Sequence, residues 1–322
     1  MTGTARRARR PLAVGWTPVG ARVEELAAAL DGDSYVSYIW PLSRRPLAPV
    51  RYAVSGVLTA VEVVRRRPTA IVATNPPLIP ALIAYIYCAA GRHPLILDSH
   101  PASFGLRRSL SGRLLLPLHR WLAPRARLNL VASPAIAGLV EGWGGKAVIF
   151  HEPPPLTRPR PRERSGRLRV LVPFTIAPDE PLELIMLAAS RLPDVDFEIT
   201  GHSYRVPAWA RRMALSNVLF TGFLRGMAYL EATERADVFL SLTTDEFSVP
   251  RSAWEAVYAS RVLVTSGCPL LRQVFPTAHH VEHSADSVVR AISALRDAAH
   301  LSPTIASPAG LSALREAAGL TA

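Results

Sequence analysis

SNVLFTGFLRGMAYLEATERADVFLSLTTDEFSVPRSAWEAVYASRVLVTSGCPLLRQVFP, residues Ser216–Pro276, alternates short β-rich runs with segments long enough for helices. Asn217–Thr221 reads as a strand, Arg225–Arg235 as a helix, Val238–Leu242 as a strand, Arg251–Ala259 as a helix and Val262–Thr265 as a strand. The strand runs are apolar almost throughout, as in sheets covered on both faces. Strands alternating with helices of this length predict βαβ units and a parallel sheet.

The same rhythm extends in both directions. Immediately upstream, Leu168–Pro173 reads as a strand, Asp179–Arg191 as a helix, and Asp196–Thr200 as a strand ending at Gly201. Ser284–Ala299 and Leu311–Ala318 read as closing helices. Further upstream the run HEPPPLTRPRPRERSGR (His151–Arg167) interrupts the alternation, because proline fixes φ and removes a backbone donor. Before it the series runs again: strands at Leu12–Trp16, Tyr35–Trp40, Thr69–Thr74, His93–His100, Leu128–Ala132 and Ala147–Phe150, with helices between them. The sequence therefore predicts two doubly wound α/β domains, 1–152 and 168–322, joined by a Pro/Arg-rich linker over 153–167.

Of 322 residues, 49% are hydrophobic and 19% charged, which is enough apolar material for two cores and unlike a disordered chain. The formal net charge is +12, and Lys146 is the only lysine, so the positive charge is almost all guanidinium. Such a surface attracts polyanions. Cys88 and Cys268 stand far apart, which argues against a disulfide scaffold. The basic start runs into a short strand with no apolar signal-peptide core, and the longest apolar run, Leu78–Ala90, is shorter than the roughly 20 residues that span a bilayer. The expected location is cytoplasmic, with a peripheral position at the inner face of the membrane as a variant of it.

In open α/β sheets, ligands bind beyond the carboxyl ends of the strands. In the C-terminal half those ends carry Gly201, Thr221-Gly222 and the loop with Thr244, Glu246 and Ser248. That loop leads into a helix opening at Val249-Pro250-Arg251-Ser252, whose unpaired amides and positive dipole end favour an anion. Arg251 adds a guanidinium that suits phosphate, and Glu255 a carboxylate that suits ribose hydroxyls. The plain alternative is a solvated helix start. In the N-terminal half, Asp98 and His100 close a strand, where an imidazole could act as a general base or hydrogen-bond a sugar or phosphate; it could equally cap the loop. Gly15 and Thr17 follow the first strand and Asn75 the third, placing them as candidate acceptor-side or cleft residues.

The run Ser216–Pro276 resembles the donor domain of GT-B glycosyltransferases related to the glycosyltransferase group-1, or family-4-like, enzymes. The features that carry the likeness are Thr221-Gly222, Ala236-Asp237-Val238 and Glu255-Ala256, with further similarity over Val172–Gly201 and at NPPLIPALIA, DSHPASFG and PLHRWLAPRA upstream. The resemblance implies two Rossmann-like domains facing a cleft, with one or both C-terminal helices packing back toward the N-terminal domain. It also implies sugar transfer from a nucleoside diphosphate sugar, UDP type favoured, to an acceptor hydroxyl or, less favoured, an amine. The acceptor would be a lipid, a glycan or a small-molecule natural product. Glu255 would grip the ribose and His100 and Asp98 would serve the reacting region. Two departures stand out. Phe247 occupies the place where the family's retaining members often carry a first glutamate, and Phe174–Glu180 lacks the usual diphosphate-clamping Arg and Lys. These departures leave open a catalytically silent sugar-nucleotide-binding or membrane-recruiting homologue; a nucleotide-sugar epimerase or phosphorylase on the same plan is the enzymatic rival.

Asp31-Gly32-Asp33 and Asp194-Val195-Asp196 imitate a metal-binding Asp-x-Asp motif, but both precede strands, at the wrong sheet edge for a site. No metal or other cofactor is expected. Gly105–Leu128 interleaves Leu and Trp with Arg and His, which fits either a helix packed on the sheet or a basic segment lying on an anionic membrane surface. No nucleic-acid module is present, so no nucleic-acid partner is expected.

Overall fold

The computed structural model describes residues 9–17, 20–39, 47–104, 110–157, 159–160, 166–298 and 300–320, the side chains of 110–114 excepted. Pro18-Val19 of the first turn, the start of the Gly105–Leu128 stretch and parts of the Pro/Arg-rich run lie outside the described residues. The chain divides into two compact units: Met1–Pro153 with Pro308–Ala322, and Pro154–Ser307.

Unit 1 carries β1 (Leu12–Gly15), α1 (Ala21–Ala29), β2 (Asp33–Val36), α2 (Ala48–Arg66), β3 (Ile71–Asn75) and α3 (Ile79–Gly91). It continues with β4 (Leu95–Ser99), α4 (Leu110–Leu122), β5 (Leu128–Val131), α5 (Pro134–Gly142) and β6 (Ala147–Ile149). The sheet order is β2-β1-β3-β4-β5-β6, with every pair parallel. Unit 2 carries β7 (Arg169–Val172), α6 (Leu182–Ser190), β8 (Asp196–Thr200), α7 (Ala208–Met213), β9 (Val218–Gly222) and α8 (Met227–Arg235). After these come β10 (Val238–Ser241), α9 (Arg251–Tyr258), β11 (Val262–Ser266), α10 (Pro269–Val274), β12 (His279–Val281) and α11 (Ala285–Asp297). Its order is β12-β11-β10-β7-β8-β9, again all parallel. Each sheet starts in its middle and reverses direction beside its first strand.

Side chains alternate across each strand, so an apolar strand feeds two cores. In unit 1, Leu12, Val14, Ile71, Ala73, Leu95 and Leu97 pack with α2, α3 and α4. Ala13, Val72, Ile96 and Leu130 pack with α1 on the opposite face. In unit 2, α6 and α11 cover one face and α8, α9 and α10 the other.

Three short elements escape the sequence pattern. The six-residue α7 and α10 and the three-residue β12 are too brief for a periodic signal, and β12 exists through its pairing with β11. Two boundaries also differ from expectation. Within the stretch 153–167, read as a linker, Arg160 is bonded to unit 2: its amide donates to Glu234, and its carbonyl accepts from the buried Arg261. The expected second domain, 168–322, ends early. The last helix, α12 (Leu311–Ala317), lies in unit 1, where Leu314, Ala317 and Ala318 enter the α1 core. Gly310 begins that docking with φ +91°, and a Cβ there would sit 2.6 Å from the Ile149 carbonyl oxygen.

No helix among the described residues is long and apolar enough to cross a membrane. Leu314 is fully buried, so Leu314→Ala is expected to lower the unfolding free energy by about 2–4 kcal/mol through lost burial and a residual cavity. Urea unfolding checks this; an unchanged midpoint would mean that α12 is dispensable to unit 1.

Candidate functional site

Unit 2 gathers its polar strand ends where the order reverses, between β10 and β7. The loop after β7 is held by Glu180, whose carboxylate accepts from the Thr175 and Ala177 amides. Burial pushes the Glu180 carboxyl up from its ordinary range, and these amides pull it back. Gly201, at the end of β8, has φ +122°, and a Cβ there would stand 2.8 Å from the Phe174 carbonyl oxygen. Only glycine lets the two loops meet so closely.

The loop after β10 is tied on both sides. Thr244 donates its amide to the Asp179 carbonyl at 2.8 Å, and Thr243 exchanges hydrogen bonds with Ser266 Oγ at the end of β11. Asp245 accepts from the Phe247 amide at 3.0 Å, and Ser248 donates its amide to the Asp245 carbonyl at 3.3 Å, so Ser248 turns the loop. Glu246 is exposed, and Val249 packs against the core beneath α9. The N-cap residue of α9 is Pro250, whose side chain makes no capping hydrogen bond to the helix start. Ser252 pairs its hydroxyl with that of Ser241 at 2.6 Å.

Arg251 and Glu255 meet. Arg251 Nε donates to Glu255 Oε1 at 2.9 Å, one helical turn apart, and Tyr229 from α8 donates its hydroxyl to Glu255 Oε2. Burial and the Glu255 carboxylate together push the Tyr229 phenol well above its ordinary range, so it remains a donor. The sequence points to Arg251 and Glu255 but not to Tyr229, 26 residues from Glu255, because nothing local announces a tertiary hydrogen bond. Nor does it announce the aromatic shelf at the ends of β8 and β9. There His202 stacks on Phe223 at 4.5 Å, Tyr204 lies 5.1 Å from His202, and Arg225 covers Phe223 at 5.0 Å. Burial, then Arg205 and Arg225, lower the His202 pKa, which favours its neutral form.

In unit 1, Asp98 has a partner that its sequence position does not reveal. Arg22, on α1, donates to both of its oxygens at 2.7 and 2.6 Å and to Glu152 at 2.6 Å. The two carboxylates outweigh the burial that would lower the Arg22 pKa, which rises well above its ordinary value. Asp98, expected beside His100 in catalysis, is thus a brace between β4, α1 and the chain after β6. His100 is exposed, its amide donates to the Asn75 carbonyl, and its Nδ1 accepts from the Ala102 amide at 3.2 Å. A neutral imidazole whose Nδ1 accepts from an amide carries its proton on Nε2. Asn75 is buried, and its amide nitrogen has no hydrogen-bond partner among the described residues.

The loop after His100 is pinned by His119, a residue with no local sequence signal. Its Nε2 meets Ser99 Oγ and its Nδ1 the Ser103 carbonyl, both at 3.2 Å, between the rings of Phe104 and Trp143. Gly15 lies where a Cβ would meet Val23 at 2.5 Å and Thr74 at 2.7 Å, so packing requires it. Thr17 is half-buried at the start of the following turn. Three of the four Asp-x-Asp carboxylates make surface ion pairs: Asp31 with Arg315, Asp194 with Arg296 and Asp196 with Arg167.

No family model and no curated protein matches the chain. Solved structures do. A sucrose-phosphate synthase from Thermosynechococcus elongatus is 15% identical, with 89% of this chain and 90% of that one covered at a TM-score of 0.67. HepE from Anabaena, in complex with UDP and glucose, is 13% identical over 97% and 94% at 0.65. The fold is GT-B. A UDP-GlcNAc 2-epimerase from Neisseria meningitidis, bound to UDP-GlcNAc, shares this GT-B likeness at 10% identity over 97% and 94%, with a TM-score of 0.53.

Two outcomes test these GT-B strand ends. Asp98→Asn leaves Arg22 facing a neutral amide and is expected to cost about 2–4 kcal/mol of stability, as breaking a buried pair does. Full stability with lost turnover would return Asp98 to the chemistry. Burial lowers the His119 pKa from its ordinary 6.5. The unfolded chain therefore binds a proton that the folded one refuses, and stability falls as pH drops from about 6.5 through the lowered folded value. Chemical denaturation from about pH 7.5 to about pH 5 should show this slope in the wild type and a shallower one in His119→Gln; identical slopes would contradict it.

Proposed function

We propose that the chain is a glycosyltransferase that takes sugar from a nucleoside diphosphate sugar, with a UDP donor favoured, and passes it to an acceptor hydroxyl. Tyr229, Arg251 and Glu255, converging at the start of α9 on the carboxyl edge of unit 2, carry this reading. The α9 amides would face the diphosphate, since a helix start stabilises an anion. Glu255, held in one rotamer by Tyr229, would accept from the ribose hydroxyls. Gly201 and Gly222 would leave room for backbone approach, and the flat His202–Phe223 pair would receive the base by stacking. His100 would donate from Nε2 to a sugar or phosphate oxygen. No bound metal is needed for these contacts.

HepE, of the same fold, was solved in complex with UDP and glucose, which supports the choice of nucleotide. A lipid, a glycan or a small natural product would each supply the acceptor hydroxyl. Phe247, 38% exposed where retaining relatives place a carboxylate, favours a second reading: a sugar-nucleotide binder without turnover.

Calorimetry with UDP, GDP and dTDP tests the proposal. UDP is expected to bind most tightly, and Glu255→Ala to weaken it by about 1–3 kcal/mol, because a buried hydroxyl partner is lost. Tyr229→Phe should weaken it less, by freeing the Glu255 rotamer. Unchanged UDP affinity in Glu255→Ala would refute the site. Binding without any turnover across acceptor classes would select the silent reading.

A further inference from the structure

The helix α2 is inverted relative to its own pattern. Val50, Val54, Val57, Val61 and Val64 recur at spacings of four and three, the stripe that normally marks a core-facing side. Yet Val57, Val61 and Val64 are 64%, 57% and 63% exposed, with Leu58 beside them, while Ser55, Thr59 and Val63 face inward. Thr59 satisfies itself inside by accepting from Trp16 Nε1 and donating to the Ser55 carbonyl. The exposed stripe continues onto α3 through Ile86, 69% exposed, and onto α4 through Leu115 and Trp121. Trp121 meets Tyr85 of α3 edge-on at 5.2 Å. All three helices cover the same face of the sheet.

Charge is distributed just as unevenly. Residues 34–140 hold thirteen arginines and only two carboxylates, Glu62 and Asp98, so eleven of the twelve net positive charges lie in that third of the chain. Both carboxylates are already paired, Glu62 with Arg65 and Arg66 and Asp98 with Arg22. Arginines gather where the three helices end: Arg65 and Arg66 in the last turn of α2 with Arg67 capping it, Arg92 after α3, and Arg125 and Arg127 after α4. Arg92, Arg125 and Arg127 line a hollow of about 420 Å³ with His93, Tyr85 and Cys88. Arg125 stacks over Trp121 at 4.2 Å.

We propose that the α2–α3–α4 face of unit 1 docks on an anionic lipid bilayer, with the valine stripe of α2 entering the headgroup boundary. The arginines at the helix ends then lie against lipid phosphates, and the hollow beside Arg92 receives a headgroup. Apolar side chains flanked by arginine and tryptophan suit that boundary, where one end is dry and the other wet. A second copy of the chain fits less well: it would bring the same uncompensated arginines against themselves, whereas an anionic surface is drawn to them. The proposal rests on this surface alone and stands whether or not the chain transfers sugar.

Vesicle co-sedimentation of the full chain tests it, using phosphatidylglycerol–phosphatidylcholine vesicles and phosphatidylcholine alone. The wild type is expected to pellet with the anionic vesicles only and to be released as salt rises, because screening shortens the attraction. Val57→Glu combined with Val61→Glu replaces exposed side chains, so the melting temperature should hold while vesicle affinity falls about tenfold or more, apolar insertion being replaced by charge. Leu187→Glu, an exposed apolar position in unit 2, should bind like the wild type. Wild-type protein left in the supernatant with anionic vesicles overturns the proposal, as does undiminished binding by the valine double variant. A lipid-free dimer in sedimentation velocity that the double variant dissolves, without vesicle binding, overturns it in favour of a second copy.

Discussion

All the strand pairs in both sheets are parallel, and most of what can be said about this chain follows from that. A parallel strand must be re-entered from the same end, so each crossover carries the chain across a face and each strand delivers its carboxyl end to one edge. Both faces must then be covered, which is why the strands are apolar almost throughout and why helices flank them. Polar residues are tolerated where the strands stop. Asn75, Asp98, Gly201, Thr243 and Ser266 all stand at or just beyond such ends.

Standing at a strand end does not assign a residue to chemistry. Asp98 stands near the end of β4 and Glu255 in the first turns of α9, and an arginine engages each carboxylate. For Asp98 both oxygens go to Arg22, which Glu152 also holds, so the cluster ties three segments of unit 1 together. For Glu255 one oxygen goes to Arg251 and the other to a phenol, at the start of α9 beside the sheet's reversal point. Its partners orient it without locking it into the core. That difference in burial and in neighbours is the ground for proposing Glu255, and not Asp98, as a ligand-holding group, and it can be judged only in three dimensions.

The sequence was legible where its signal is periodic or steric. The runs Thr69–Thr74 and Val262–Thr265 read as strands, and β3 and β11 lie there within two residues. Gly201 was legible because a turn at a strand end favours glycine. Contacts between residues distant in sequence were not: Arg22 lies 76 residues from Asp98, and Tyr229 lies 26 from Glu255. α12 was legible as a helix, and the family likeness implied that a C-terminal helix packs back on the N-terminal half, where Leu314, Ala317 and Ala318 do lie. The valine stripe of α2 is the reverse case, because periodicity marks a face and not what covers it, and this one is exposed.

The central claim is that unit 2 holds a nucleotide at the carboxyl edge beside its reversal point. Amide hydrogen exchange with and without saturating UDP addresses it directly. The account predicts slowed exchange in the Thr243–Glu255 loop and helix start and around Gly201–Ser203, with the opposite edge, near Asp194–Asp196, unchanged. Protection confined to other segments, or none at a concentration where binding is saturated, would contradict it.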